Sequence, residues 1–186
     1  MSVEQLSNQV WQVTDFFSKE RFQYIRDSYR KSRQAFTMQY DNRILTPWSD
    51  SPELQAVVQE ETERVSSIVG RALAPQVGYI SIDLSGTRLM MHRLHPDIYV
   101  QLNICMGDAV TYDMGYSYCV DADINENSEI DYTPKRPIYP HDCVTTQYVP
   151  NLASVYLSEP RSFVGMLKLI PPNTVREVLV LSYTRA

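Results

Sequence analysis

Residues 86–108, GTRLMMHRLHPDIYVQLNICMGD, decide how the chain is read. Two apolar and β-branched runs, 87–94 and 98–106, flank His95-Pro96-Asp97, so the stretch reads as two strands folded back on each other around a turn. Two of the chain's three histidines, His92 and His95, fall inside it. Whether they hold a metal separates an enzyme from a binding or structural protein.

Downstream and upstream of this stretch the pattern is the same. Short β-branched and aromatic runs at 79–84, 112–120, 144–149, 154–157, 163–169 and 175–184 are cut by turn residues, which with the two central runs makes about eight strands. Closely spaced short strands without intervening helices predict an antiparallel sandwich or barrel, and a jelly roll fits best. The segment 121–142 interrupts the pattern. It is acidic at first and then carries Pro134, Pro137 and Pro140, so it reads as a long surface excursion.

The amino-terminal part, residues 1–76, has a different period. After a short strand at 10–13, Ser18 is placed to cap a helix, with Phe17 and Phe22 in staple positions and Phe22, Ile25 and Tyr29 on one stripe. An extended piece follows at 36–40. Ser51-Pro52-Glu53 then supplies a cap, a first-turn proline and an acid at the positive end of the helix dipole. Leu54, Val57, Val58, Glu61, Val65, Ile68 and Val69 recur at helical period up to Gly70, a natural stop. The prediction is therefore an α+β, mainly β fold: one domain over 1–186, in which a helical support segment braces a jelly-roll core at 77–186.

Composition limits the function. The chain has 186 residues and a net charge of −5, with 44% hydrophobic and 21% charged residues. It is large enough to bury a core without staples and lacks the basic footprint of a nucleic-acid binder. The run Arg26, Arg30, Lys31, Arg33 reads as a solvated helix face. No segment is apolar enough for a membrane span and no leader is expected from MSVEQLSNQ, which points to cytoplasmic synthesis. Cys105, Cys119 and Cys143 are an odd set without metal-knuckle spacing and read as small core residues in a reducing compartment. Asp121-x-Asp123-x-Asn125 begins like a calcium loop, but Glu126 and Tyr132 stand where glycine and glutamate are needed. A solvated acidic loop is the simpler reading.

A mononuclear iron site on a jelly roll needs a His-x-carboxylate and a second histidine from a later strand, on one face with the opposite side open. At this point the chain resembles the Fe(II)- and 2-oxoglutarate-dependent oxygenases, the prolyl-4-hydroxylase-like branch found in many tailed bacteriophages. The resemblance rests on the opening VWQVTDFFSKERF, on DNR around Asn42, on the glycine-terminated helix, and on the ending SEPRSFVGMLKLIPPNTVREVLVLSY. It implies that His92 matches the first histidine while Leu94 stands in place of the aspartate. Val164 then stands where a histidine precedes the glycine matched by Gly165, and Arg176 matches the residue that pairs with the far carboxylate of 2-oxoglutarate. In this register the co-substrate arginine persists where two of three metal ligands are gone, and neither iron nor co-substrate is expected.

A second register stays open. His95-Pro96-Asp97 is itself a His-x-Asp, with His141 as its third ligand; a working dioxygenase would use His92 or His95, Asp97 and His141, with Fe(II) and 2-oxoglutarate as cofactors. Against it, Pro96-Asp97 suits a plain turn, and a lone strand histidine more often hydrogen-bonds than ligates. Arg176 has its own plain reading, a surface pairing with Glu159 or Glu177. A small-anion binder that keeps only Arg176 is a third reading.

Thirteen tyrosines are many for this length, and Tyr99, Tyr112, Tyr116, Tyr118, Tyr132 and Tyr139 cluster between the central strand and the excursion. They either form a docking surface or line the jelly-roll interior. The expectation is a non-catalytic structural or binding module with protein partners or self-assembly and with neither nucleic acid nor membrane. A phage virion or its assembly, in the host cytoplasm or the particle, is the setting that the resemblance suggests.

Overall fold

The computed structural model describes residues 1–31, 38–40, 43–46, 51–108, 110–111, 114–120 and 137–186. Its elements in chain order are β1 (Ser2–Ser7), β2 (Val10–Thr14), α1 (Lys19–Lys31), β3 (Met38–Tyr40), β4 (Arg43–Thr46), α2 (Pro52–Val69) and β5 (Leu73–Asp83). They continue with β6 (Val100–Cys105), β7 (Ser117–Cys119), β8 (Cys143–Thr145), β9 (Ala153–Leu157), β10 (Phe163–Gly165) and β11 (Arg176–Arg185).

Both helices begin where the capping residues place them. Ser18 Oγ accepts the Arg21 N–H at 3.1 Å and opens α1, whose Phe22, Ile25 and Tyr29 are buried. Ser51 Oγ accepts the Leu54 N–H at 3.1 Å and opens α2; Gly70, with φ of 64°, closes it. Among the described residues no helix is long and apolar enough to cross a membrane.

An eight-stranded antiparallel sheet, ordered β1-β2-β9-β6-β11-β5-β4-β3, carries the helices on one face. A three-stranded sheet, β10-β7-β8, covers the other face. Because side chains alternate along a strand, each central strand serves two cores. Val100, Leu102 and Ile104 of β6 join the helix-side core with Leu179, Leu181 and Tyr183 of β11. Gln101, Asn103 and Cys105 turn toward the small sheet, and all six residues of β6 are buried.

The deciding stretch differs from its sequence reading. Residues 87–94 and β6 are not a hairpin: they belong to opposite sheets, and the turn marked by the Ile98 N–H to His95 O bond of 2.8 Å carries the chain between them. The reason lies in burial. A strand buried at every position needs neighbours on both edges, and β6 finds them in β9 and β11. The 87–94 run lies instead along β10, with His92 N–H to Val164 O at 3.0 Å, Val164 N–H to His92 O at 2.9 Å and Met166 N–H to Leu89 O at 2.8 Å. It extends the small sheet as an irregular fourth member.

Other boundaries shift too. β5 starts at Leu73, well before the expected 79, because its first half pairs with the end of β11. The run at 112–120 contributes only Ser117–Cys119 as strand, and Tyr112 lies outside the described residues. Residues 121–136, with the acidic Asp121-x-Asp123-x-Asn125, lie outside them as well. The excursion ends in a 3-10 turn, Pro140–Asp142, that leads into β8. β1 and β4 carry no distinct sequence signal and were not expected.

Candidate functional site

The space between the sheets holds a buried polar network beside an apolar cluster that includes Tyr148, Tyr156, Val178 and Val180. Gln101 Nε2 donates to Asn103 Oδ1 at 2.6 Å, Asn103 Nδ2 donates to the Tyr118 hydroxyl at 3.1 Å, and that hydroxyl lies 2.5 Å from Ser154 Oγ. All four side chains are buried, so each bond replaces one to water rather than adding to it.

Beside this network sits an ion cluster. Arg176, at the start of β11, is fully buried and donates from Nη1 to Asp83 Oδ2 at 2.6 Å; Asp83, at the end of β5, is fully buried too. Arg176 Nε also donates to the Met114 carbonyl at 2.6 Å, and the guanidinium lies 4.1 Å over the Tyr116 ring. Arg43 of β4 donates to the other Asp83 oxygen, which Ser81 Oγ also reaches at 3.0 Å. Burial pushes the Asp83 carboxyl up, but the hydrogen bond from Arg43 and the charges of Arg176 and Arg43 outweigh it and hold the group below the usual carboxylate range. Two guanidiniums share one carboxylate, and among the described residues the Nη2 of each arginine has no hydrogen-bond partner.

A pocket of about 170 Å³ opens over this floor, lined by Arg43, Tyr79, Gln101, His92, Leu94 and Val164 among others. A larger depression, about 660 Å³, lies on the outer side around Phe17, Lys19 and Asn151, and brings no histidine or cysteine. The smaller pocket is where the three positions singled out in the first register converge. His92 and Val164 exchange both backbone hydrogen bonds, which puts them directly opposite each other with side chains on one face. Leu94 follows two residues along the same side. A Cβ on Gly165 would lie within 2.9 Å of the Leu89 and Met90 carbonyls, so glycine is what lets these two strands approach.

Of these three positions only His92 carries a side chain able to ligate a metal, and its Nδ1 lies 2.9 Å from the Met90 carbonyl. The residues present do not fit a facial iron centre, which needs three. The second register is not brought together either. His95 Nδ1 and Asp97 Oδ2 are 3.4 Å apart in an exposed turn, while His141 lies on the 3-10 turn, 78% exposed and stacked on Tyr139. Among the described residues no three His, Cys, Asp or Glu side chains form a cluster suited to a metal ion.

Arg176 is neither at the surface nor paired with Glu159 or Glu177. Glu177 points to the opposite face of the sheet, where its carboxylate accepts the Tyr29 hydroxyl at 2.6 Å and Arg30 at 2.7 Å. The true partner, Asp83, and its second cation, Arg43, were missed by sequence reasoning; the period-2 series Tyr79, Ser81, Asp83 facing one way along β5 was the available signal. The tyrosines divide. Tyr116 and Tyr118 line the interior, Tyr99 is partly covered by Arg185, Tyr139 is exposed, and Tyr112 and Tyr132 lie outside the described residues.

No family model matches the chain, and no curated protein is similar to it in sequence. Solved structures are similar in fold. The α-ketoglutarate-dependent carbocyclase SnoK from nogalamycin biosynthesis aligns with a TM-score of 0.71 at 12% identity, over 96% of this chain and 81% of that one. HygX from Streptomyces hygroscopicus, with nickel and 2-oxoglutarate bound, aligns at 0.68 and 11%, over 96% and 83%. A Pseudomonas putida prolyl-4-hydroxylase aligns at 0.63 and 10%, over 96% and 93%. The fold is thus the double-stranded β-helix of the 2-oxoglutarate oxygenases.

Proposed function

We propose that this chain is a non-catalytic binding or structural module built on a 2-oxoglutarate-oxygenase-like jelly roll. The observation that carries the reading is the facing pair His92 and Val164, with Leu94 beside them: the pocket persists, but two of its three ligand positions are apolar. The Asp83–Arg176 pair supports it, because the arginine assigned to the co-substrate carboxylate already holds a carboxylate of its own chain. Arg176 then acts as part of the interior rather than as a cofactor hook. A protein partner or self-assembly is the proposed mode of action, and a tailed-phage particle or its assembly the proposed setting. The exposed Tyr139–His141 stack, at the carboxyl-terminal end of the 121–142 segment, is in keeping with a contact surface.

The test is anaerobic titration of Fe(II) with 2-oxoglutarate, following the metal-to-ligand charge-transfer absorption in wild type and in His92→Ala, His95→Ala and His141→Ala. No band in any protein is the expected result. A wild-type band abolished by one of these substitutions would establish a working metal site and overturn the reading. Leu94→Asp combined with Val164→His serves as the positive arm, since it places two further ligands on the face that His92 already occupies.

A further inference from the structure

β7 and β8 put Cys119 directly opposite Cys143. In an antiparallel pair, opposed residues alternate between hydrogen-bonded positions and non-hydrogen-bonded ones, where the Cα atoms approach to about 4.5 Å. The Thr146 N–H donates to the Tyr116 carbonyl at 2.9 Å, which makes that facing couple hydrogen-bonded. Stepping along the register, Tyr118 and Val144 are hydrogen-bonded, while Ser117 with Thr145 and Cys119 with Cys143 are the close, non-hydrogen-bonded couples. Ser117 Oγ and Thr145 Oγ1 confirm the approach at 3.1 Å on the side of the ladder that the cysteines share. A Cα separation of about 4.5 Å falls at the short end of the range that a disulfide spans.

We propose that Cys119 and Cys143 are a disulfide modification site, a cross-strand bond that ties together the two ends of the 121–142 excursion. Neither is in a disulfide in the structure; Cys119 is buried and Cys143 half-buried, so Cys143 is the sulfur that a reagent reaches. With a low-molecular-weight disulfide as oxidant, the Cys143 thiolate attacks one oxidant sulfur, forms a mixed disulfide and expels one thiolate. The Cys119 thiolate then attacks the Cys143 sulfur, closes the S–S bond and expels the second. The two protons lost by the protein thiols go to the expelled thiolates, and the two electrons that reduce the oxidant come from the protein sulfurs. Burial, with the neighbouring Cys119 thiol second, pushes the Cys143 thiol up to about 12, so the first attack is slow at neutral pH. Cys105 lies on β6 in the other sheet and is buried, which leaves it outside the reaction.

The experiment is prolonged incubation of the full-length folded protein with oxidised glutathione, then alkylation, intact mass and non-reducing peptide mapping. The expected product is a monomer lighter by two hydrogens with Cys119 linked to Cys143, formed equally in Cys105→Ala and absent in Cys119→Ser and Cys143→Ser. Closing this loop should also raise the melting temperature by something on the order of 10 °C, reversibly with reductant. Linkage through Cys105, an intermolecular dimer in place of the internal bond, or three unmodified thiols after excess oxidant would each overturn the proposal.

Discussion

The two faces of the eight-stranded sheet are made by the same strands and differ in kind. Toward the helices, Ile80, Ile82, Val100, Leu102, Ile104, Val155, Leu179 and Leu181 make a continuous apolar layer. Toward the small sheet, the alternate positions of those strands mix Ser81, Asp83, Gln101, Asn103, Ser154 and Arg176 with Cys105, Tyr156, Val178 and Val180. The first face needs no partner chemistry, since removing apolar area from water stabilises it at roughly 25 cal/mol per Å². The second holds groups whose desolvation is repaid only by hydrogen bonds and ion pairing, and an apolar substitute of similar volume is often no worse for stability.

The contrast can be broken most strongly at Asp83. Asp83→Ala leaves Arg176 and Arg43 buried without their carboxylate and should destabilise by about 3–5 kcal/mol in chemical denaturation. Asp83→Leu with Arg176→Met should recover part of that loss; if the double variant is worse than the sum of the singles, the interior is not replaceable. On the helix face, Leu181→Ala should cost about 2–5 kcal/mol by the cavity it leaves, without altering the acid profile.

That acid profile sharpens the comparison. Asp83 is held below its unfolded pKa of about 3.9, so its contribution is present above that value and is lost as pH falls toward the folded value. Wild type should lose stability steeply below about pH 4, and Asp83→Asn should show a shallower decline over the same range. Glu61 on α2 is the opposite case: burial, only partly offset by Arg64 and Arg21, raises its carboxyl. Stability linked to Glu61 is therefore complete at low pH and diminishes as pH rises through its folded value. Glu61→Gln should produce the smallest change of the set, neutral or slightly stabilising at pH 7, visible as a melting temperature no lower than wild type.

Much of the helical half was legible because its signals are local. Ser18, Ser51, Pro52 and Gly70 act on backbone groups within a turn, and the stripes of α1 and α2 repeat within a dozen residues. Most of the strands, β1 and β4 aside, were legible as strands but not as partners. The sequence around His95-Pro96-Asp97 looks like a hairpin turn, and nothing in it records that 87–94 and β6 part to opposite sheets. The site followed the same rule. His92, Leu94 and Val164 could be placed by resemblance and do converge, whereas Asp83 lies 93 positions from Arg176 and was passed over for the nearer Glu159 and Glu177. Partnership across a sheet is a property of register, and register is fixed by the whole fold.

β11, the last strand in the chain, lies between β6 and β5 and pairs with both. On one side of it stand β1, β2, β9 and β6; on the other stand β5, β4 and β3; among the described residues no other strand pair joins the two groups. A chain still lacking these residues therefore holds two half-sheets, each ending in a raw central edge. Loop closure over long sequence separations, Arg185 to Leu73 among them, must come before that reward is collected, which places folding among the slow β-topologies. Commitment of the whole sheet to its native order therefore waits on the insertion of β11, and until then the facing edges of β5 and β6 stay unpaired.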